Sequence, residues 1–216
     1  MIKRYALLFI AINITSLYAI LGGIGVNFAQ DSFTLEEELI GSSPVGEAVR
    51  TEISSPMGLG AFMYLTIIPF VDFEVGVNAT GATYEYSYTD NVTQNNITTE
   101  LGLGKLTYYL SAQKPLLKLP MIRMYAGAGF NGSTYTKIFS SDLIQNINVD
   151  CFNNEECMKD ELTGDSNGMH IETGARFKPP FIPFSLNFNA RYNLVKDIVP
   201  NEDGFLTISV GAAFAI

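Results

Sequence analysis

Thirteen residues at the carboxyl end, Gly204 to Ile216, constrain this chain more than any other stretch. Leu206, Ile208, Val210, Ala212, Phe214 and Ile216 are apolar and alternate with Thr207, Ser209, Gly211, Ala213 and Ala215, which are small or polar. A period of two makes a β-strand whose faces differ. A greasy row opposite a row of small and polar groups suits a strand with lipid on one side and a crowded, polar lumen on the other.

The same pattern returns along the chain. A glycine-rich first strand spans Leu21 to Phe28 and would pair with the last. In a second, Met57, Leu59, Ala61, Met63, Leu65 and Ile67 form the apolar row. After the tight turn Ile68-Pro69-Phe70, a third sets Val71, Phe73, Val75, Val77 and Ala79 outward against Asp72, Glu74, Asn78 and Thr80. Beyond Gly81 the bulky Tyr84, Tyr86 and Tyr88 fall on even positions. A bulge near Gly81 is the favoured reading, and a change in what the outer face requires is the other. The fourth strand, Thr99 to Ala112, also changes phase, with Leu101 and Leu103 giving way to Leu106, Tyr108 and Leu110. Gln113 to Met121, with Pro115 and Pro120, reads as a turn too rich in proline to continue a ladder. Strand five places Ile122, Met124, Ala126, Ala128 and Phe130 outward, opposite Arg123 and Asn131. In strand six Ile171, Thr173, Ala175 and Phe177 face out, and His170, Glu172, Gly174 and Arg176 face in. The turn Lys178 to Pro183 leads to strand seven, where Phe184, Leu186, Phe188, Ala190, Tyr192 and Leu194 are opposed by Ser185, Asn187, Asn189, Arg191 and Asn193.

Eight strands result, and their connections alternate long and short. The long ones are Ala29 to Ser55, where a short helix is expected from Thr34 through Glu36, Glu37 and Glu38, then Thr89 to Thr98, Phe139 to Gly168 and Lys196 to Asp203. The third is the most acidic and encloses both cysteines, Cys151 and Cys157, which in an exported chain are expected to pair as a disulfide stapling the loop tip. Two thiols without a nearby histidine do not make a zinc set, and no EF-hand spacing supports calcium in that loop.

Apolar residues make up 47% of the chain, yet beyond the N-terminus no unbroken apolar run reaches the roughly 20 residues a membrane helix needs. A formal charge of −9 and the lack of any basic stripe exclude a nucleic-acid binder. Residues 1–19 read as a secretory signal, with Lys3 and Arg4 before the apolar stretch Tyr5 to Ile14 and cleavage after Ala19. The alternative is an uncleaved anchor helix, for which Asn13, Thr15 and the Gly22-Gly23 break are unfavourable.

The terminal strand resembles that of bacterial outer-membrane β-barrels. Residues 20–216 as a whole resemble small eight-stranded barrels of the OmpA, OmpX and OmpW kind, with long surface loops and short periplasmic turns. The resemblance implies an all-β, antiparallel up-and-down barrel in the outer membrane. Its implied partners are outer-membrane lipid, lipopolysaccharide and the barrel-assembly machinery, with no cofactor. Closed edges and a self-satisfied lumen call for no second copy, so a monomer is expected.

A barrel of eight strands is just wide enough for side chains to fill. The inward acids Asp72, Glu74 and Glu172 and the inward bases Arg123, Arg176 and Arg191 are therefore expected to neutralise one another, with Glu172 and Arg191 paired as a plug. The rival is a charged constriction admitting small solutes, as in a narrow OmpW-like conduit. His170, the single histidine, is the one candidate for a histidine-dependent lipid-modifying site; the plainer expectation is a solvated rim residue. Most tyrosines, among them Tyr64, Tyr108, Tyr109, Tyr125 and Tyr192, are expected near the membrane interfaces, with some filling the lumen. A soluble lipocalin-like carrier would turn the apolar rows inward and leave Asp72, Glu74, Arg123, Arg176 and Arg191 outside.

Overall fold

The computed structural model describes residues 22–68, 70–119, 121–141, 143, 155–200 and 202–215. The expected signal, Cys151 and Ile216 lie outside them. The strands are Gly22–Ser32 (β1), Glu38–Ser43 (β2), Gly46–Arg50 (β3), Met57–Ile68 (β4), Val71–Asp90 (β5), Asn96–Lys118 (β6), Ile122–Thr136 (β7), Thr163–Phe177 (β8), Phe184–Leu194 (β9) and Phe205–Ala215 (β10), with one helix, Glu155–Leu162 (α1). Eight strands form a closed antiparallel ring in the order β1, β4, β5, β6, β7, β8, β9, β10. The ring closes where β1 pairs with β10, from Gly23 opposite Ala215 to Ser32 opposite Leu206.

Alternation decides which residues meet which solvent. Val26, Leu59, Val75, Leu110, Phe130, Ile171, Phe188 and Val210 all stand exposed on the outer wall, one from each strand of the ring. An apolar exterior on every strand is intolerable in water and matches lipid. The 11 residues of β9 rise about 25 Å along the membrane normal at the usual strand tilt, the height of such a band. Asp72, Glu74, Arg176 and Arg191 are buried inside, so the carrier reading, with its apolar lumen, is overturned.

Several expectations about local structure are corrected. There is no bulge at Gly81, which pairs in register with Met57 on one side and Gly104 on the other, and β5 and β6 run unbroken from Asp72 opposite Gln113 to Thr89 opposite Asn96. Even positions of β5 point inward throughout, from Glu74 through Asn78 to Tyr84. What changes is the surroundings: above the lipid band the interior becomes apolar. Phe33, Ile53, Tyr84, Leu103, Tyr135, Ile138, Val195, Ile198, Val199 and Phe205 pack there as one buried cluster. The phase change in β6 has the same origin, since Leu103 faces this cap and Leu110 faces lipid.

The segment expected to be helical from Thr34 is instead bridged at Leu35 to Ile53 and leads into the hairpin β2–β3, laid against the upper edge of β5 from Gly46 opposite Asp90 to Arg50 opposite Tyr86. Strand pairing satisfies the edge that a β5 longer than its ring neighbour β4 would otherwise expose. Buried Arg50 holds the acidic run extended, donating to the Glu36 carbonyl at 2.9 Å and lying 3.4 Å from the Glu38 carboxylate. Nor does the ladder stop at Gln113. β6 continues to Lys118 with an irregularity between Pro115 and Leu117. Pro115 lies beyond the start of β5, so one neighbouring strand remains and the missing donor is tolerated. β1 extends to Ser32 and carries Asp31 inside, while α1 and an early start of β8 shorten the third loop.

Candidate functional site

The six charged residues singled out from sequence lie in one lumenal cluster. Arg123 and Arg176 are directly opposite on β7 and β8, a like-charge pair that would repel. Asp72 stands between them: its carboxylate accepts from Arg123 and lies 3.4 Å from Arg176 Nη1. Arg176 Nη2 also donates to Glu74 at 2.7 Å, and its guanidinium is sandwiched between the rings of Tyr64 and Tyr125. Glu172 faces Arg191 across β8 and β9 and accepts from its Nη2 at 2.8 Å and its Nε at 3.1 Å. Arg191 Nη2 lies 3.7 Å from Glu74, and its guanidinium is stacked 3.5 Å from the centre of the Tyr109 ring. Three carboxylates thus meet three guanidiniums, and the faces of Arg176 and Arg191 rest on aromatic rings, the arrangement that offsets desolvation.

Sequence reasoning missed the neutral groups that join the pairs. Gln113, fully buried, donates to Glu172 at 2.7 Å and Glu74 at 3.2 Å. Asn189 donates to Glu172 and to the Tyr125 hydroxyl, each at 3.1 Å. It missed a second level as well. Asp31 accepts from Lys105 at 2.8 Å and from Thr80 and Thr207 at 2.6 Å each, just beneath the apolar cap. The usable signal was parity: Asp31 continues the inward row of Asn27 and Ala29, and Lys105 sits in that of Thr107 and Ser111.

Tyr64, Tyr109 and Tyr125 fill the lumen and Tyr84 and Tyr135 the cap, which leaves Tyr108 and Tyr192 as the large exposed tyrosines of the outer wall. The interface girdle expected of them is correspondingly sparse. All three lumenal rings lie over glycines, Tyr64 over Gly23. Tyr109 is paired with Gly76 and Tyr125 with Gly174, and a Cβ at Gly76 would fall 2.5 Å from the Tyr109 hydroxyl. Gly76→Val is therefore expected to dislodge Tyr109 from Arg191 and cost about 1–3 kcal/mol, measured as a lower midpoint of urea unfolding in vesicles.

His170 is 1% exposed, which corrects the solvated-rim expectation. Gly129 lies opposite and admits its ring. Its Nε2 is 2.8 Å from Ser111 Oγ and 4.0 Å from Glu172, so serine and acid address the same nitrogen. A relay needs the acid on the other nitrogen and the serine open to substrate; Ser111 is wholly buried. Among the described residues no group of histidine, cysteine, aspartate or glutamate is arranged to hold a metal. Cys157 lies in α1.

A lumenal cavity between Asn27, Phe62, Glu74, Tyr109 and Tyr125 holds about 10 Å³, roughly what one water needs. A larger hollow, about 440 Å³, opens on the wall beside Val75, Leu110 and Phe130.

No protein-family profile matches the chain, and no curated protein matches its sequence. Solved structures do. Ail, the attachment invasion locus protein of Yersinia pestis, in complex with the heparin analogue sucrose octasulfate, is similar at 13% identity and a TM-score of 0.50, over 90% of this chain and 97% of that one. The outer membrane protein OprG of Pseudomonas aeruginosa is similar at 15% identity and a TM-score of 0.50, over 90% and 96%. The fold is that of small bacterial outer-membrane β-barrels, and the apolar belt makes the chain an integral barrel of that membrane.

Proposed function

We propose that the barrel is a plugged scaffold whose role is structural and surface-interactive, presenting acidic outer loops to cationic ligands or neighbouring envelope components. The observation that carries this is the lumen, where three carboxylates and three guanidiniums are paired with one another and the cavity among Asn27, Glu74, Tyr109 and Tyr125 holds about 10 Å³. A solute path would have to break that network and part the apolar cap above it. The connection after β9 adds to the obstruction, since Val195, Ile198 and Val199 fold inward over the mouth.

The outer end supplies the charge. Glu36, Glu37, Glu47, Glu85, Glu100, Glu155 and Glu156 all belong to it, in a chain with 22 acidic and 13 basic residues. Ail was crystallised with a polysulfated ligand; here the sign of the loops favours a polycation instead. On this reading residues 1–19 are removed on export, Cys151 and Cys157 pair to staple the third loop, and the protein acts as a monomer inserted by the barrel-assembly machinery beside lipopolysaccharide. No catalytic step is assigned to it.

Two measurements test the proposal. In planar bilayers the purified protein is expected to add no conductance steps, and in vesicles it should bind fluorescent polylysine with an affinity that falls steeply with salt while ignoring heparin. Discrete ion-conducting steps would instead favour the narrow conduit.

A further inference from the structure

The end opposite the long loops carries apolar residues where water would be expected. Each of the three short turns carries one: Phe70 is 80% exposed, Leu119 53%, and Phe181 is completely exposed. These residues lie past the lipid-facing rows, which already span about 25 Å. They are not the product of loose chain. The turn bearing Phe181 is tied on both sides, by the Lys178 amide donating to the Met121 carbonyl at 2.8 Å and the Ala215 amide donating to the Pro183 carbonyl at 2.7 Å. Phe181 itself has φ of 67°, a conformation a bulky side chain rarely adopts. The backbone is strained in a way that leaves an aromatic ring wholly outside the protein, and such strain marks function more often than accident.

We propose that these turns are interfacial anchors, embedded in the headgroup region of the periplasmic leaflet and selective for anionic phospholipid. Two features favour a leaflet over a protein partner. The tips belong to the β4–β5, β6–β7 and β8–β9 connections, every second junction around the ring, so they form a crown that a plane of lipid meets at once. A partner protein would need a one-sided patch. The crown is also basic, in contrast to the acidic outer end. Lys114 ends the lipid-facing row of β6 below Leu110 and Ala112, and Lys178 opens the turn of Phe181. Aliphatic stems against lipid with ammonium groups at the phosphate level are how lysines settle at such a boundary.

The inference rests on the membrane barrel and is tested separately from it. The chain has no tryptophan, so single substitutions report without background. Phe181→Trp and Phe70→Trp are compared with Val92→Trp, an exposed outer-loop position, and Val210→Trp in the belt, each in phosphatidylcholine vesicles with and without phosphatidylglycerol. The crown tryptophans are expected to emit blue-shifted light and to be quenched by aqueous acrylamide about threefold less than Val92→Trp. Phosphatidylglycerol should deepen the shielding, and Lys114→Gln with Lys178→Gln should abolish that lipid dependence. Acrylamide quenching at both crown positions equal to that of Val92→Trp overturns the anchor, and shielding indifferent to phosphatidylglycerol overturns the anionic selectivity. Failure of Val210→Trp to be quenched by brominated lipid would instead mean that the barrel is not in the membrane.

Discussion

Replacing Glu172 with leucine is expected to destabilise the barrel by about 3–5 kcal/mol, because it leaves a buried guanidinium without its main counter-charge. The Glu172 side chain is fully withdrawn from solvent and accepts from Arg191, Gln113 and Asn189. Once it is gone, Arg191 keeps Glu74 at 3.7 Å, and Glu74 is already engaged by Arg176. Urea unfolding in vesicles measures the loss. The double replacement Glu172→Leu with Arg191→Leu should recover much of it, since a buried pair removed together leaves no orphan charge. An equal loss in single and double variants would mean that these side chains matter as packing alone. Glu172→Gln, which keeps the shape and part of the hydrogen bonding, should fall between wild type and leucine.

The sequence revealed the ring, the inward parity of the six charges and the alternation of long and short connections, because a lipid belt around a polar lumen forces period-two contrast on every strand. It was misleading where that contrast reversed. Tyr84 and Leu103 sit on the inward rows of β5 and β6, which are polar at Glu74 and Lys105 and apolar higher up. A reader who assumes one outside solvent takes the reversal for a bulge; a strand that leaves lipid and enters water produces it with no change of geometry. Asp31 and Lys105 were overlooked for the same reason, since each lies where polar lumen gives way to apolar cap. Their pairing joins residues 74 positions apart, from strands not adjacent in the ring, and no local pattern specifies it. The helix expected at Thr34 failed because local capping signals carry no knowledge of an unpaired edge on β5. His170 was placed at the rim from strand length; counting registers from the closed ring sets it opposite Gly129, well inside.

The reversal makes two phenylalanines of one strand behave differently. Phe205 and Phe214 both lie in β10, and they are 3% and 50% exposed. Phe205 packs edge-to-face on Phe33 at 5.7 Å, and the Lys105 ammonium lies 3.9 Å from its ring centre as it pairs with Asp31. Phe205→Ala is expected to cost about 3–5 kcal/mol through the cavity and the lost ring contacts. It should also loosen the cap selectively, so that limited proteolysis cuts the outer loops sooner while the spanning strands stay protected. Phe214→Ala removes a ring that touches Phe184 and lipid, and lipid flows into the space. Its cost should be well below that of Phe205→Ala, with loop cleavage unchanged. Equal costs would mean that the outer half has no core of its own and that the barrel is held by its belt. A large difference confined to the loops would mean that one strand crosses two solvents and is stabilised in each by the opposite face.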